Sequence, residues 1–235
     1  MSRVYRLSTT SCSLLILLLA GASARADLFE VETRHDIMVP MRDGVRLATD
    51  VYLPARGGKV LVAKWPTILM RSPYNKASEG SDGRYFAAHG YSVVFQDTRG
   101  RYRSEGVWHM LTDDGRDGFD TCAWIAKQAW ANGKVGTMGS SYVGGTQHAI
   151  ALERAPELAT EIPIDAMSNL GYASMRNGGA FELRFWNWIY SITGPKGSRQ
   201  SRDPATADML KDMMQNRRSY LLPGAVSSEL SIHAT

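Results

Sequence analysis

Gly139-Ser140-Ser141-Tyr142-Val143-Gly144 is the segment on which the reading of this chain turns. An apolar, strand-like run precedes it, Lys134-Val135-Gly136-Thr137-Met138. A helix-like run opening on small residues follows, from Gly144-Gly145-Thr146 to Ala151-Leu152. Strand, sharp turn carrying a serine, then helix is the layout of a nucleophile elbow. A serine hydroxyl attacks poorly at its free pKa, so it must be presented to a base. The same turn aims the next backbone N–H and the helix N-terminus at a developing oxyanion. Small residues must flank the turn because strand and helix pass close together, and Gly139, Ser140, Gly144 and Gly145 meet that need. The expected result is Ser141 between a parallel strand and a helix, with its hydroxyl in a pocket. The pattern departs from G-x-S-x-G, since Val143 stands where the second glycine belongs. Taken alone, it fits an ordinary strand–helix turn as well.

Working outward, residues 35–54 read as two strands joined by a turn at Arg42-Asp43-Gly44, the second ending at Pro54. From Trp65 onward the predicted order is β, α, β, α, β, α, β. Strands are expected at Trp65–Met70, Tyr91–Asp97, Lys134–Met138 and Ile162–Ala166. Helices are expected near Gly83–Gly90, Asp113–Ala129 and from Gly144 to Pro156. This alternation predicts an α/β class with a mainly parallel sheet and helices on both faces. Ligand sites in such sheets lie beyond the carboxyl ends of the strands. Tyr74, Asp97 and Ser141 fall at such ends.

The chain of 235 residues, 44% apolar and 21% charged, has an ordinary globular composition. Its first 26 residues differ. Arg3 and Arg6 precede Leu14-Leu15-Ile16-Leu17-Leu18-Leu19-Ala20, and Ala24-Arg25-Ala26 has small residues at cleavage spacing. This predicts a secretory signal peptide over 1–26, with cleavage after Ala24 and an uncleaved anchor as alternatives. The expected location is secreted or periplasmic, with no stable membrane association after cleavage. Removing Arg3, Arg6 and Arg25 takes the formal net charge from +4 to +1, so the basic balance is no nucleic-acid footprint. Cys12 leaves with the leader, and Cys122 remains alone among apolar residues at helical spacing, which predicts a buried thiol. The five histidines lack metal-ligand spacing, no Walker-type or dinucleotide glycine loop is present, and no cofactor or metal is expected. Asp113-Asp114-Gly115-Arg116-Asp117-Gly118 has a faint calcium-loop look, but the bidentate acid of an EF-hand would fall on Trp124.

Several motifs together resemble the X-Pro dipeptidyl-peptidase, cocaine-esterase-like and glutaryl-acylase serine hydrolases, which have an α/β-hydrolase fold. Pro40-Met41-Arg42-Asp43-Gly44-Val45-Arg46-Leu47 resembles their opening hairpin. Arg71-Ser72-Pro73-Tyr74-Asn75-Lys76 resembles their oxyanion-tyrosine segment. Gln96-Asp97-Thr98-Arg99-Gly100-Arg101 with Ser104-Glu105-Gly106 resembles their signature loop. Their elbow reads G-x-S-Y-x-G, which accommodates Val143. The resemblance runs from about His35 to about Leu222 and implies specific roles. Ser141 is then the acyl-enzyme nucleophile. The Tyr142 backbone N–H and the Tyr74 hydroxyl are then the oxyanion hole; on its own residues, Tyr74 reads as a packed surface tyrosine. Asp97 and Arg99 are then braces of their loop. The substrate class implied is a small acyl ester, amide or peptide, with no nucleic acid.

The implied organisation is a hydrolase core over 27–167, the start of a helical cap over 168–222, and an atypical tail over 223–235. The resemblance implies that the aromatic-rich run Phe181, Phe185, Trp186, Trp188, Ile189 and Tyr190 begins the cap; as bare sequence it reads as core. In this family the triad aspartate and histidine lie far downstream, ahead of a β-sandwich domain. Asp203, Asp208 and His233 occur in the right order but in no matching context, and none is assigned. The expectation is therefore an N-terminal piece, truncated or frameshifted, with a non-catalytic remnant as the alternative. A redox enzyme on a doubly wound sheet is disfavoured because no phosphate-binding glycine loop follows its first strand.

Overall fold

Two long antiparallel strands open the described chain, β1 (Glu30–Pro40) and β2 (Arg46–Arg56), joined at Arg42-Asp43-Gly44. The computed structural model describes residues 28–166, with Arg176, Asn177, Ala180, Phe181, Phe185 and Trp188. The predicted leader, the tail, Asp203, Asp208, His233 and nearly all of the predicted cap lie outside the described residues. After β2 come β3 (Lys59–Val60), β4 (Trp65–Ser72), a 3-10 turn (Lys76–Glu79) and α1 (Gly80–Ala88). Then follow β5 (Ser92–Asp97), α2 (Asp114–Ala126), β6 (Ala131–Ser140), α3 (Tyr142–Leu152) and β7 (Leu158–Ile164). Two short strands, β8 (Arg176–Asn177) and β9 (Ala180–Phe181), pair separately.

The main sheet runs β1-β2-β5-β4-β6-β7, with β3 paired to β2. β4 is parallel to β5 and β6, and β6 is parallel to β7, while β2 is antiparallel to its partners. The α/β-hydrolase class read from the sequence is therefore borne out. The β4-to-β5 connection runs one way along the sheet and the β6-to-β7 connection runs the other. The crevice between β4 and β6 is thus the topological switch point, where such sheets bind ligands.

Side-chain alternation divides the core between two faces. Tyr52, Met70, Val93 and Phe95 point to the face that carries Ala87 of α1. Val51, Leu69 and Val94 point the other way and meet Cys122 and Ile125 of α2 and Ile150 of α3. Each fully buried Leu, Ile or Val contributes about 1.5–3 kcal/mol. Every residue of β5 is buried, as a central strand covered on both faces requires. The Cys122 thiol has no disulfide, and burial pushes its pKa up to about 12, so it is an inert core group.

Several strand ends differ from expectation: β6 spans Ala131–Ser140 and β7 spans Leu158–Ile164, where Lys134–Met138 and Ile162–Ala166 are expected. β2 does not stop at Pro54 but continues to Arg56. β5 pairs with β2 only over Thr49–Tyr52, and β3 takes over at Ala55. The N–H that proline lacks falls between these two partners, and the Pro54 carbonyl still accepts from the Leu61 N–H at 3.0 Å. Among the described residues, no helix is long and apolar enough to cross a membrane.

Candidate active site

β6 runs directly into the turn that carries Ser141, and α3 begins at the next residue. Ser141 has φ 58° and ψ −121°, a conformation that costs a non-glycine residue roughly 1–3 kcal/mol. The Ser141 N–H donates to the Ile164 carbonyl of β7 at 2.9 Å, and the Gly145 N–H donates to the Ser141 carbonyl at 3.0 Å. These two bonds hold the strained residue between strand and helix. Its side chain makes no capping bond to α3, so the hydroxyl is free of the helix end and exposed. The sequence predicts a pocketed hydroxyl; the segment expected to cover it lies largely outside the described residues. The Tyr142 N–H is the first of α3, among the donors that a helix leaves unpaired at its positive end.

Close packing explains the small residues. Gly139 has φ +140°, and a Cβ there would stand 2.3 Å from Cγ1 of buried Val143. A Cβ on Gly144 would stand 2.5 Å from the Ala166 Cβ. Val143 thus fills the space that Gly139 leaves. Gly139→Ala is expected to destabilise the chain by about 1–3 kcal/mol through overpacking alone. Urea denaturation followed by tryptophan fluorescence measures this, and an unchanged midpoint would contradict the packing argument.

Tyr74 follows β4 on the other side of the crevice. Its hydroxyl accepts from the Trp188 indole N–H at 3.2 Å. Burial raises its pKa, and the neighbouring Trp188 N–H and Ser141 side chain oppose the shift only in part. The phenol is therefore neutral at pH 7 and keeps a proton to donate. Its loop is pinned from below. The Lys76 N–H donates to Asp97 Oδ1 at 2.7 Å, and the buried Lys76 ammonium lies 2.7 Å from Asp50 and 2.9 Å from Asp36.

The structure brings Ser141, Tyr74 and Tyr142 together, with the two tyrosine rings 6.4 Å apart and edge-on. Asp97, the third strand-end candidate, faces elsewhere. Its carboxylate accepts from the Lys76 and Arg103 backbone N–H groups. Burial raises its pKa to about 6 against those two bonds. Arg99 bridges Asp117, at 2.6 and 3.0 Å, to Asp43, at 2.7 and 3.2 Å. Both residues brace loops.

A buried polar network beneath the elbow was not foreseen. The Tyr142 phenol donates to Asp114 Oδ2 at 2.8 Å and accepts from the Trp108 indole N–H at 3.1 Å and the Leu111 N–H at 3.0 Å. Burial, then the Asp114 charge, pushes that phenol far above its ordinary pKa. Asp114 is itself raised by burial, against the pull of Arg71. Fully buried Arg71 donates to Gln96 Oε1 at 2.8 Å and to the Asp114 carbonyl, and its guanidinium lies 3.4 Å from the Asp114 carboxylate and 3.7 Å from that of Asp117. One signal could have revealed it: Arg71 ends an apolar strand, and a charge there is buried only when paired. Gln147, also unforeseen, accepts from Thr137 and Ile162 and donates to the Gly139 and Val143 carbonyls, stitching α3 to the turn.

The described histidines are engaged away from Ser141. His35 meets Asp50 at 2.9 Å, His89 meets the Tyr85 carbonyl at 2.7 Å, and His109 lies 3.7 Å from Asp113, while His148 acts on Glu161 through its charge alone. No group of three metal-ligating side chains occurs among the described residues.

Residues 43–231 match the family described as X-Pro dipeptidyl-peptidase (S15 family). Cocaine esterase of Rhodococcus sp. (strain MB1 Bresler) is 39% identical over 181 residues, covering 73% of this chain and 31% of that protein. A putative Xaa-Pro dipeptidyl-peptidase of Bacillus anthracis is 32% identical over 124 residues, covering 46% of this chain and 20% of that protein. Among solved structures, an alpha-amino acid ester hydrolase superposes with a TM-score of 0.60 at 31% identity, covering 72% of this chain and 31% of that one. A CocE/NonD family hydrolase from Staphylococcus aureus has the same TM-score at 25% identity, covering 68% of this chain and 33% of that one. The chain spans about a third or less of the length of these relatives.

Proposed function

The chain belongs to the X-Pro dipeptidyl-peptidase (S15) family of hydrolases, and on that premise we propose that it carries the nucleophile and oxyanion half of a serine hydrolase acting on small acyl esters, amides or peptides. The observation that carries the reading is the strained, exposed Ser141 at the mouth of α3 with the Tyr74 phenol beside it. Ser141 Oγ attacks the carbonyl carbon, and its proton passes to a general base. The carbonyl oxygen becomes an oxyanion that accepts from the Tyr142 N–H and the Tyr74 hydroxyl. Collapse expels the alcohol or amine with a proton and leaves an acyl-enzyme. Water then releases the acid and restores the serine.

A second reading, a hydrolase-fold remnant without turnover, is favoured because none of the described histidines is hydrogen-bonded to Ser141. The two readings separate by rate. A fluorophosphonate reacts by forming a Ser Oγ–P bond and expelling fluoride. With no base at the serine, labelling is expected over hours; a complete triad labels within minutes. A chain that never labels supports the remnant.

Tyr74→Phe removes one oxyanion donor and keeps the ring. Ser141 labelling at saturating probe is expected to slow by roughly 10²–10³-fold, with the thermal midpoint unchanged. A change below about threefold would mean that Tyr74 serves packing alone, since loss of an oxyanion donor costs far more.

A further inference from the structure

The loop between β5 and α2, residues 98–113, contacts the chain on both sides of the proposed oxyanion hole, at the Pro73 carbonyl beside Tyr74 and at the Tyr142 side chain. At one end, Arg101 Nε donates to the Pro73 carbonyl at 2.9 Å, one residue before Tyr74. Arg101 is fully buried, and its guanidinium lies 5.1 Å over the Trp108 ring. At the other end, the Trp108 indole N–H and the Leu111 N–H both reach the Tyr142 phenol. A chain of contacts therefore runs Tyr74, Pro73, Arg101, Trp108, Tyr142.

The loop is itself held rigidly. Ser104 Oγ donates to the Asp97 carbonyl at 2.6 Å and accepts from the Ala48 N–H at 2.9 Å. The Glu105 N–H donates to the Arg46 carbonyl at 2.9 Å. At Gly100, with φ +69°, a Cβ would stand 2.2 Å from the Trp108 backbone nitrogen, so the loop folds tightly back on itself.

We propose that Arg101 and Trp108 are positioning residues that set the spacing between the Tyr74 hydroxyl and the Tyr142 N–H, making this loop a clamp across the oxyanion hole. The inference rests on the hydrolase reading above. The two donors follow different strands, β4 and β6, and small shifts between those strand ends would move them apart. Oxyanion donors work only at hydrogen-bond distance from the developing charge. A buried cation sandwiched between a carbonyl on one side and an indole on the other resists such a shift.

The test is fluorophosphonate labelling of Ser141 over a range of probe concentrations, separating the limiting rate from the half-saturating concentration. Trp108→Phe keeps the ring over Arg101 and removes the N–H to Tyr142. Arg101→Met removes the bond to Pro73 while keeping much of the volume, and Arg101→Lys restores a cation. Both Trp108→Phe and Arg101→Met are expected to lower the limiting rate by roughly 10–10²-fold, the scale of small misplacements at a reacting centre. Half-saturation should not move, and Arg101→Lys should recover part of the loss. In a Tyr74→Phe background, Arg101→Met should cost little more, because the donor it positions is gone. If Arg101→Met fails to fold, Trp108→Phe alone decides. Wild-type limiting rates in Trp108→Phe, or full additivity of Arg101→Met with Tyr74→Phe, would overturn the clamp while Ser141 labelling stands. Absence of Ser141-dependent labelling in the wild type overturns the hydrolase reading, and the clamp with it.

Discussion

Replacing Ser141 by alanine is expected to abolish fluorophosphonate labelling of the 235-residue chain altogether. The probe needs an oxygen nucleophile held beside hydrogen-bond donors that stabilise developing negative charge. Ser141 is the residue for which strain, exposure and the helix N-terminus coincide. Ser140 precedes it but lies within β6, paired with Ile164. In complete serine hydrolases, removing the nucleophile costs on the order of 10⁶ in turnover. Here the readout is the labelled mass by peptide mapping. Label remaining in Ser141→Ala, on Ser140 or any other residue, would remove Ser141 from its proposed role. Stoichiometric labelling of the wild type within minutes would place a working base in this chain and make His233 the first candidate to replace.

The second large effect concerns stability. Arg71→Met is expected to destabilise the chain by about 3–5 kcal/mol, the usual consequence of leaving a buried charge without its partner. Asp117 keeps Arg99 at 2.6 Å, so its charge remains compensated. Among the described residues, Asp114 has no such second cation, and its carboxylate keeps the hydrogen bond from the Tyr142 phenol. Burial already holds the Asp114 carboxyl above its ordinary pKa, and Arg71 opposes that shift. Without Arg71 the folded-state pKa rises further above the unfolded value. A carboxyl raised in the folded state favours folding at low pH and loses that contribution as pH climbs through the folded pKa. The deficit of Arg71→Met should therefore be greatest at neutral and alkaline pH and should narrow as the solution is acidified toward the unfolded pKa. Urea denaturation across this range measures it. A deficit independent of pH would point to lost packing rather than an unpaired Asp114.

The outline of this protein was legible from short-range pattern. The hairpin turn at Arg42-Asp43-Gly44, the helical spacing of the apolar residues around Cys122, and the elbow from Gly139 to Gly145 each depend on neighbours a few residues apart. Strands, helices and turns arise at that range, so the α/β order and the turn bearing Ser141 follow from local chemistry. Even the Val143 departure resolves locally, since its side chain occupies the space above Gly139.

The support beneath the site was not legible, because its members are far apart in the chain. Arg71 and Asp114 are separated by 43 residues, Trp108 and Tyr142 by 34, and Arg42 and Asp120 by 78. Composition assigns every Asp and Arg to a solvated surface unless a partner is known. Only the parallel registry of β4, β5 and β6 brings Arg71, Gln96 and the elbow side by side and closes α2 over them. In that dry interior each polar group must find a partner or cost stability, and tertiary packing alone decides which partner it finds.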